Sequence, residues 1–115
     1  MPRQTIFDMA FSKVYPLLIA KAEKKGRTRE EVFEITSWLT GYSDGEITTA
    51  LQSDITCGAF FANAPAWSLR ADLITGKVCG VQVDAITDPL MKRVRQLDKL
   101  VDELARGRPM DKVKR

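Results

Sequence analysis

Asp88-Pro89-Leu90-Met91-Lys92-Arg93-Val94-Arg95-Gln96-Leu97-Asp98-Lys99-Leu100-Val101-Asp102-Glu103-Leu104-Ala105-Arg106 is the stretch that decides the fold class. Asp88 is a preferred N-cap, and Pro89 suits the first helical position, where a missing N–H costs nothing. Leu90, Val94, Leu97, Val101 and Leu104 recur at 4-3-4-3 spacing, and Met91 and Leu100 widen the stripe. Gly107 then suits a left-handed helix terminus and Pro109 blocks continuation. The pattern predicts a helix of about five turns that must bury one face.

Working outward, two capping boxes predict a helical hairpin over residues 28–52. Thr28 with Glu31 opens one helix, with Val32, Ile35 and Leu39 inward, Trp38 beside them and Gly41 as its stop. Ser43 with Glu46 opens the next, with Ile47, Ala50 and Leu51 inward. Each box satisfies two orphan N–H groups reciprocally. An earlier helix is expected to start at Ser12, which keeps Pro16 in the opening turn; its stripe is Val14, Leu17, Leu18 and Ala22, and Gly26 ends it. A short helical turn over 56–63 presents Phe60 and Phe61 to the core, and Ala64-Pro65-Ala66 breaks the chain. Residues 69–79 read as a helix followed by a tight turn at Gly80, with Gly76 and Gly80 as a flat strip for close packing. Leu73-Ile74-Thr75 and Val81-Gln82-Val83 also have strand composition. The expected architecture is therefore all-α, a bundle of five to six short helices packed on a longer C-terminal helix. The alternative is α+β with short strands within 73–83.

The chain has 115 residues, 44% hydrophobic and 29% charged, which suits one globular domain over 1–115. The longest uncharged apolar run, residues 14–20, contains Pro16 and is far short of the roughly 20 residues a membrane span needs. Residues 1–5 lack the apolar core of a secretory signal. Cys57 and Cys79 are solitary and read as buried small hydrophobes, so a cytoplasmic location is expected. The net charge of +3 is uneven: the last ten residues carry +4 and the rest −1. Residues 107–115 read as a basic, frayed tail.

Catalysis loses most of its usual tools. There is no histidine, which removes Ser-His, Cys-His and His-ligated metal chemistry. Asp98, Asp102 and Glu103 sit among Arg95, Lys99 and Arg106, where helical ion pairs on a solvated face explain them. Thr75-Gly76-Lys77 fails as a phosphate loop, because Ala71 and Val78 stand where glycine and Ser/Thr are needed. No catalytic, cofactor or metal residue is assigned. An enzyme acting through Asp, Glu, Lys or Cys stays open, with a non-enzymatic module favoured.

Trp38, Tyr42 and Trp67 are candidates for a small-molecule pocket or a protein partner's groove, since edge aromatics bring large apolar area with a polar handle. Lys24, Lys25, Arg27 and Arg29, with the tail, are candidates for phosphate or nucleic acid. Nucleic acid is disfavoured: the basic cluster has no interleaved aromatics, and the helix opened by Ser43 carries only negative charge. Self-association stays open too. Read as a heptad, the last helix has leucine at d and valine at a, with Arg93 at g and Asp98 at e, which favours a parallel homodimer. The pattern lasts under three heptads, and its wide stripe favours burial in the chain's own core.

Tyr15-Pro16, Gly26-Arg27-Thr28, Trp38-Leu39-Thr40-Gly41-Tyr42, Phe60-Phe61, Ile74-Thr75-Gly76, Cys79-Gly80-Val81, Asp88-Pro89-Leu90-Met91 and residues 97–104 together resemble a bacterial family known as domain of unknown function 2200. The chain departs from the expected asparagine–proline stretch at Ala66-Trp67-Ser68. The resemblance implies a cytoplasmic bacterial stand-alone domain and transfers no activity.

Overall fold

A computed structural model describes residues 6–78 and 80–114; the readings of residues 1–5, Cys79 and Arg115 lie outside these. Six α-helices form the body: α1 (Phe11–Glu23), α2 (Arg29–Thr40), α3 (Asp44–Leu51), α4 (Cys57–Ala62), α5 (Pro89–Ala105) and α6 (Met110–Val113). A two-stranded antiparallel hairpin, β1 (Lys77–Val78) and β2 (Val81–Gln82), stands between α4 and α5. The fold is all-α with this small hairpin attached.

The locally specified helices form as expected. Both capping boxes close, with Thr28 accepting from the Glu31 N–H and Ser43 from the Glu46 N–H. Asp88 accepts from the N–H groups of Leu90 and Met91, at 2.9 and 3.1 Å. Thr56 caps α4, which sends Phe60 and Phe61 into the core. Val94, Leu97, Leu100, Val101 and Leu104 are buried against the rest of the chain. That stripe is used up inside the domain and is not available as a coiled-coil seam.

Four expectations need correction. First, α1 starts at Phe11, not Ser12, and Ala10 at its N-cap makes no side-chain bond. The cap is tertiary: the Phe11 N–H donates to Ile55 O and the Cys57 N–H to Met9 O, each at 2.9 Å. Packing turns Phe11, Tyr15 and Ala22 inward, so Leu17 points outward at 66% exposure, and the earlier start leaves Pro16 inside the helix.

Second, residues 69–78 are not an α-helix. A short 3-10 turn over Leu69–Leu73 gives way to the β hairpin. Gly76 and Gly80 have φ of +95° and +78°, so they turn the chain instead of forming a helical strip. Third, the tail does not fray where it is described. Val113 is fully buried, Lys114 Nζ lies 2.6 Å from Glu34 Oε2, and Arg27 donates to Arg108 O. Fourth, the charged flank of α5 is not a solvated face. Glu103 is buried beside Lys99 and Arg108, and Lys21 from α1 bridges Asp98 and Asp102 at 3.3 Å each.

Val14 and Leu18 line one cavity with Val94 and Leu97, and Lys21 meets Asp98 and Asp102 further along. Helices α1 and α5 thus run in the same direction and end together.

Candidate functional site

The three aromatic candidates are dispersed. Trp38 is half-buried against the core. Tyr42 stacks on Phe60, with ring centroids 4.5 Å apart, and its hydroxyl donates to Phe60 O at 2.7 Å. Its polar handle is therefore already satisfied inside the fold. Tyr42 lines an open cleft of about 570 Å³ with Ser43, Glu46 and Phe60, and Trp67 is built into a separate surface cleft.

That cleft follows from how the break at residues 64–66 is used. The Ala66 N–H donates to Thr40 O and the Ser68 N–H to Leu39 O, so the segment caps the C-terminal end of α2. Trp67 is thereby held between α4 and α5, edge-on to Phe61. Its indole N–H donates to Gln96 Oε1 at 3.3 Å, and buried Gln96 in turn donates to Ala71 O at 3.2 Å. The Arg93 guanidinium lies 4.6 Å from the Trp67 ring centre and donates to Phe61 O at 2.8 Å. Stacked over the indole, Arg93 is a fixed cation and not a tolerant surface position. Trp67, Leu69, Pro89, Lys92, Arg93 and Gln96 line a cleft of about 370 Å³. Leu69, at 96% exposure, stands fully out of the fold on its rim.

The basic candidates are divided as well. Arg27 is committed to Glu31 at 2.6 Å and to the Arg108 carbonyl. That pairing holds the Glu31 carboxyl below its ordinary pKa, after the larger effect of its backbone bond from Thr28. Arg29 lies over the Phe33 ring at 4.8 Å. Lys24 and Lys25 are brought instead to the shared end of α1 and α5, beside Arg106.

Among the described residues no group of three or more potential metal ligands gathers. Cys57 is free and buried, and lines an apolar cavity of about 60 Å³ with Phe11, Tyr15 and Phe61. Desolvation pushes its thiol from the ordinary 9.0 up to about 11. It stays protonated at neutral pH, which makes it a poor nucleophile. The associated stability is complete below pH 9.0 and is lost as pH rises through about 11. Iodoacetamide at pH 8 is expected to leave Cys57 unmodified in native protein and to label it in urea, as read by peptide mass mapping. Native labelling at the rate of a free thiol would contradict this burial.

Sequence reasoning singled out Trp67 but missed Leu69 and Gln96. One signal was available: Gln96 sits beside Val94 and Leu97 at a core register of α5, where a polar side chain needs a partner.

A helical body, a tertiary-capped loop and a tryptophan–arginine cleft define a small helical domain with a preformed surface site. The chain belongs to the family described as an uncharacterized protein conserved in bacteria (DUF2200), whose model matches residues 5–115. It is similar to a solved structure described as "Crystal structure of uncharacterized protein SP1917", with 46% identity and a TM-score of 0.92. The match covers 97% of this chain and 92% of that one. No curated protein matches. No helix among the described residues is long and apolar enough to cross a membrane.

Proposed function

We propose that this chain is a non-catalytic docking module of the bacterial cytoplasm that binds a protein partner through the Trp67–Leu69–Arg93 face. One observation carries the reading: Leu69 is 96% exposed on a turn fixed beside an arginine-clamped tryptophan. A single exposed leucine is ordinary. A leucine held next to immobilised Trp and Arg is different, because those two residue types are enriched among the few that carry interface affinity. Their positions are set before binding, so little side-chain entropy is lost on docking. Lys92 and Arg93 against Asp72 make the rim mainly basic, which favours a partner with an apolar centre and an acidic edge. The free buried thiol of Cys57 supports the reducing location.

Leu69→Asp tests the reading. The side chain buries almost nothing on folding, so the thermal midpoint should stay within a few degrees of wild type. Cross-linking and co-purification from the native host should lose the partner, with affinity down by roughly 30-fold for a hot-spot side chain. Equal recovery of every partner by both baits would rule this face out.

A further inference from the structure

Where α1 and α5 end together they leave a second groove, of about 510 Å³, on neither the Trp67 nor the Tyr42 surface. Leu17, Ala20 and Ala105 supply its apolar lining, and Lys24, Lys25 and Arg106 its cations. Leu17 is 66% exposed, turned out by the register of α1, while the two alanines let another backbone come close.

The charges can be balanced group by group. Lys21, Arg95 and Arg106 face Asp98 and Asp102, with Arg95 3.5 Å from Asp98 Oδ2 and Arg106 Nε 2.9 Å from Asp102 Oδ2, which leaves one positive charge over. Lys24 and Lys25 are exposed and make no ion pair among the described residues. Against them stand Glu23, exposed at the last position of α1, and the two helix C-termini, each worth about half a negative charge. The surplus is about one positive charge on an apolar trough.

That size decides the class of ligand. Nucleic-acid binders neutralise roughly six to ten phosphates, and single-strand binders add aromatic platforms. This groove has neither the charge nor an aromatic ring. Strand addition needs a free sheet edge, and the β hairpin does not line the groove. Two helices side by side present ridges into which a third helix packs. We infer that the α1–α5 groove receives an acidic amphipathic helix of a partner protein, its leucine-type side chains against Leu17 and Ala105 and its carboxylates toward Lys24, Lys25 and Arg106.

Fluorescence anisotropy with three labelled probes tests this. The first is a stapled helical peptide with leucines on one face flanked by glutamates, the second replaces those leucines with serine, and the third is a mixed-sequence single-stranded DNA. The first should bind wild type at low salt at least about tenfold tighter than the other two. Lys24→Glu with Lys25→Glu, and separately Leu17→Asp, should each weaken it about tenfold or more, while Leu69→Asp leaves it unchanged. All these side chains are exposed, and unchanged circular dichroism confirms that each variant is folded. Failure of the leucine peptide to bind at low salt overturns the inference. So does equal binding of the serine peptide or the DNA, or binding indifferent to the α1 substitutions. None of these results bears on the Leu69 face.

Discussion

Gly41→Ala is expected to lower stability by about 2–5 kcal/mol. Gly41 closes α2 at φ +84°, where an L-residue is strained by roughly 1–2 kcal/mol. A Cβ there would also lie 2.7 Å from Ala66 Cβ and 2.8 Å from Ala66 N, inside any permitted contact. Ala66 cannot move aside freely, because its N–H is bonded to Thr40 O and Ser68 to Leu39 O. Overpacking of this kind adds about 1–3 kcal/mol. Gly107 is the internal control: its φ is +90° and a Cβ there would meet nothing within 4 Å, so alanine should cost the strain alone. At roughly 4 °C per kcal/mol for a domain of this size, Gly41→Ala should lower the thermal midpoint by on the order of 8–20 °C. Equal costs at the two glycines would mean that the loop carrying Trp67 is not pinned to α2. Because that loop sets the cleft, Gly41→Ala should also weaken binding at the Leu69 face.

Phe60→Ala should cost about 3–5 kcal/mol, the range for emptying a fully buried phenylalanine site. Phe60 is completely buried, stacked on Phe11 at 3.8 Å and on Tyr42 at 4.5 Å, and edge-on to Phe61 at 5.3 Å. The rings come from α1, α4 and the turn between α2 and α3, so no single element can close the hole. Urea denaturation should show a lower midpoint at unchanged slope. Phe11→Ala should be non-additive with Phe60→Ala, coupled by about 0.5–3 kcal/mol as expected for residues in contact. A loss under about 1 kcal/mol, or strict additivity, would contradict this aromatic centre.

The reach of the sequence ends where the bonding partner stops being local. Thr28 with Glu31, Ser43 with Glu46, Thr56 with Ala59 and Asp88 with Met91 each pair atoms three residues apart. Spacing alone therefore reveals four helix starts, and the apolar stripe of α5 reveals its buried face. Ala10 shows the opposite case. Its helix is capped by a carbonyl from Ile55, some forty-five positions away, so no pattern near Ser12 could place the start or foresee that Leu17 faces outward.

The same division holds for the sites. Trp67 was legible as an edge aromatic, but its placement in a surface cleft depends on Arg93, Gln96 and the carbonyls of α2, all far along the chain. Lys24, Lys25, Arg27 and Arg29 form one run in sequence. Folding divides them, because Arg27 finds Glu31 and Arg29 finds Phe33, whereas α5 draws Lys24 and Lys25 to its own end. Residues 69–83 carry small residues and β-formers together, and neither preference is strong enough to choose a state. The turn at Gly80 and the Val83 N–H bonded to Gly76 O close the β1–β2 hairpin, with a 3-10 turn over Leu69–Leu73 before it. Local hydrogen bonds and periodicity are written in the chain, and which face is buried and which charges meet are set by neighbours that only the tertiary fold supplies.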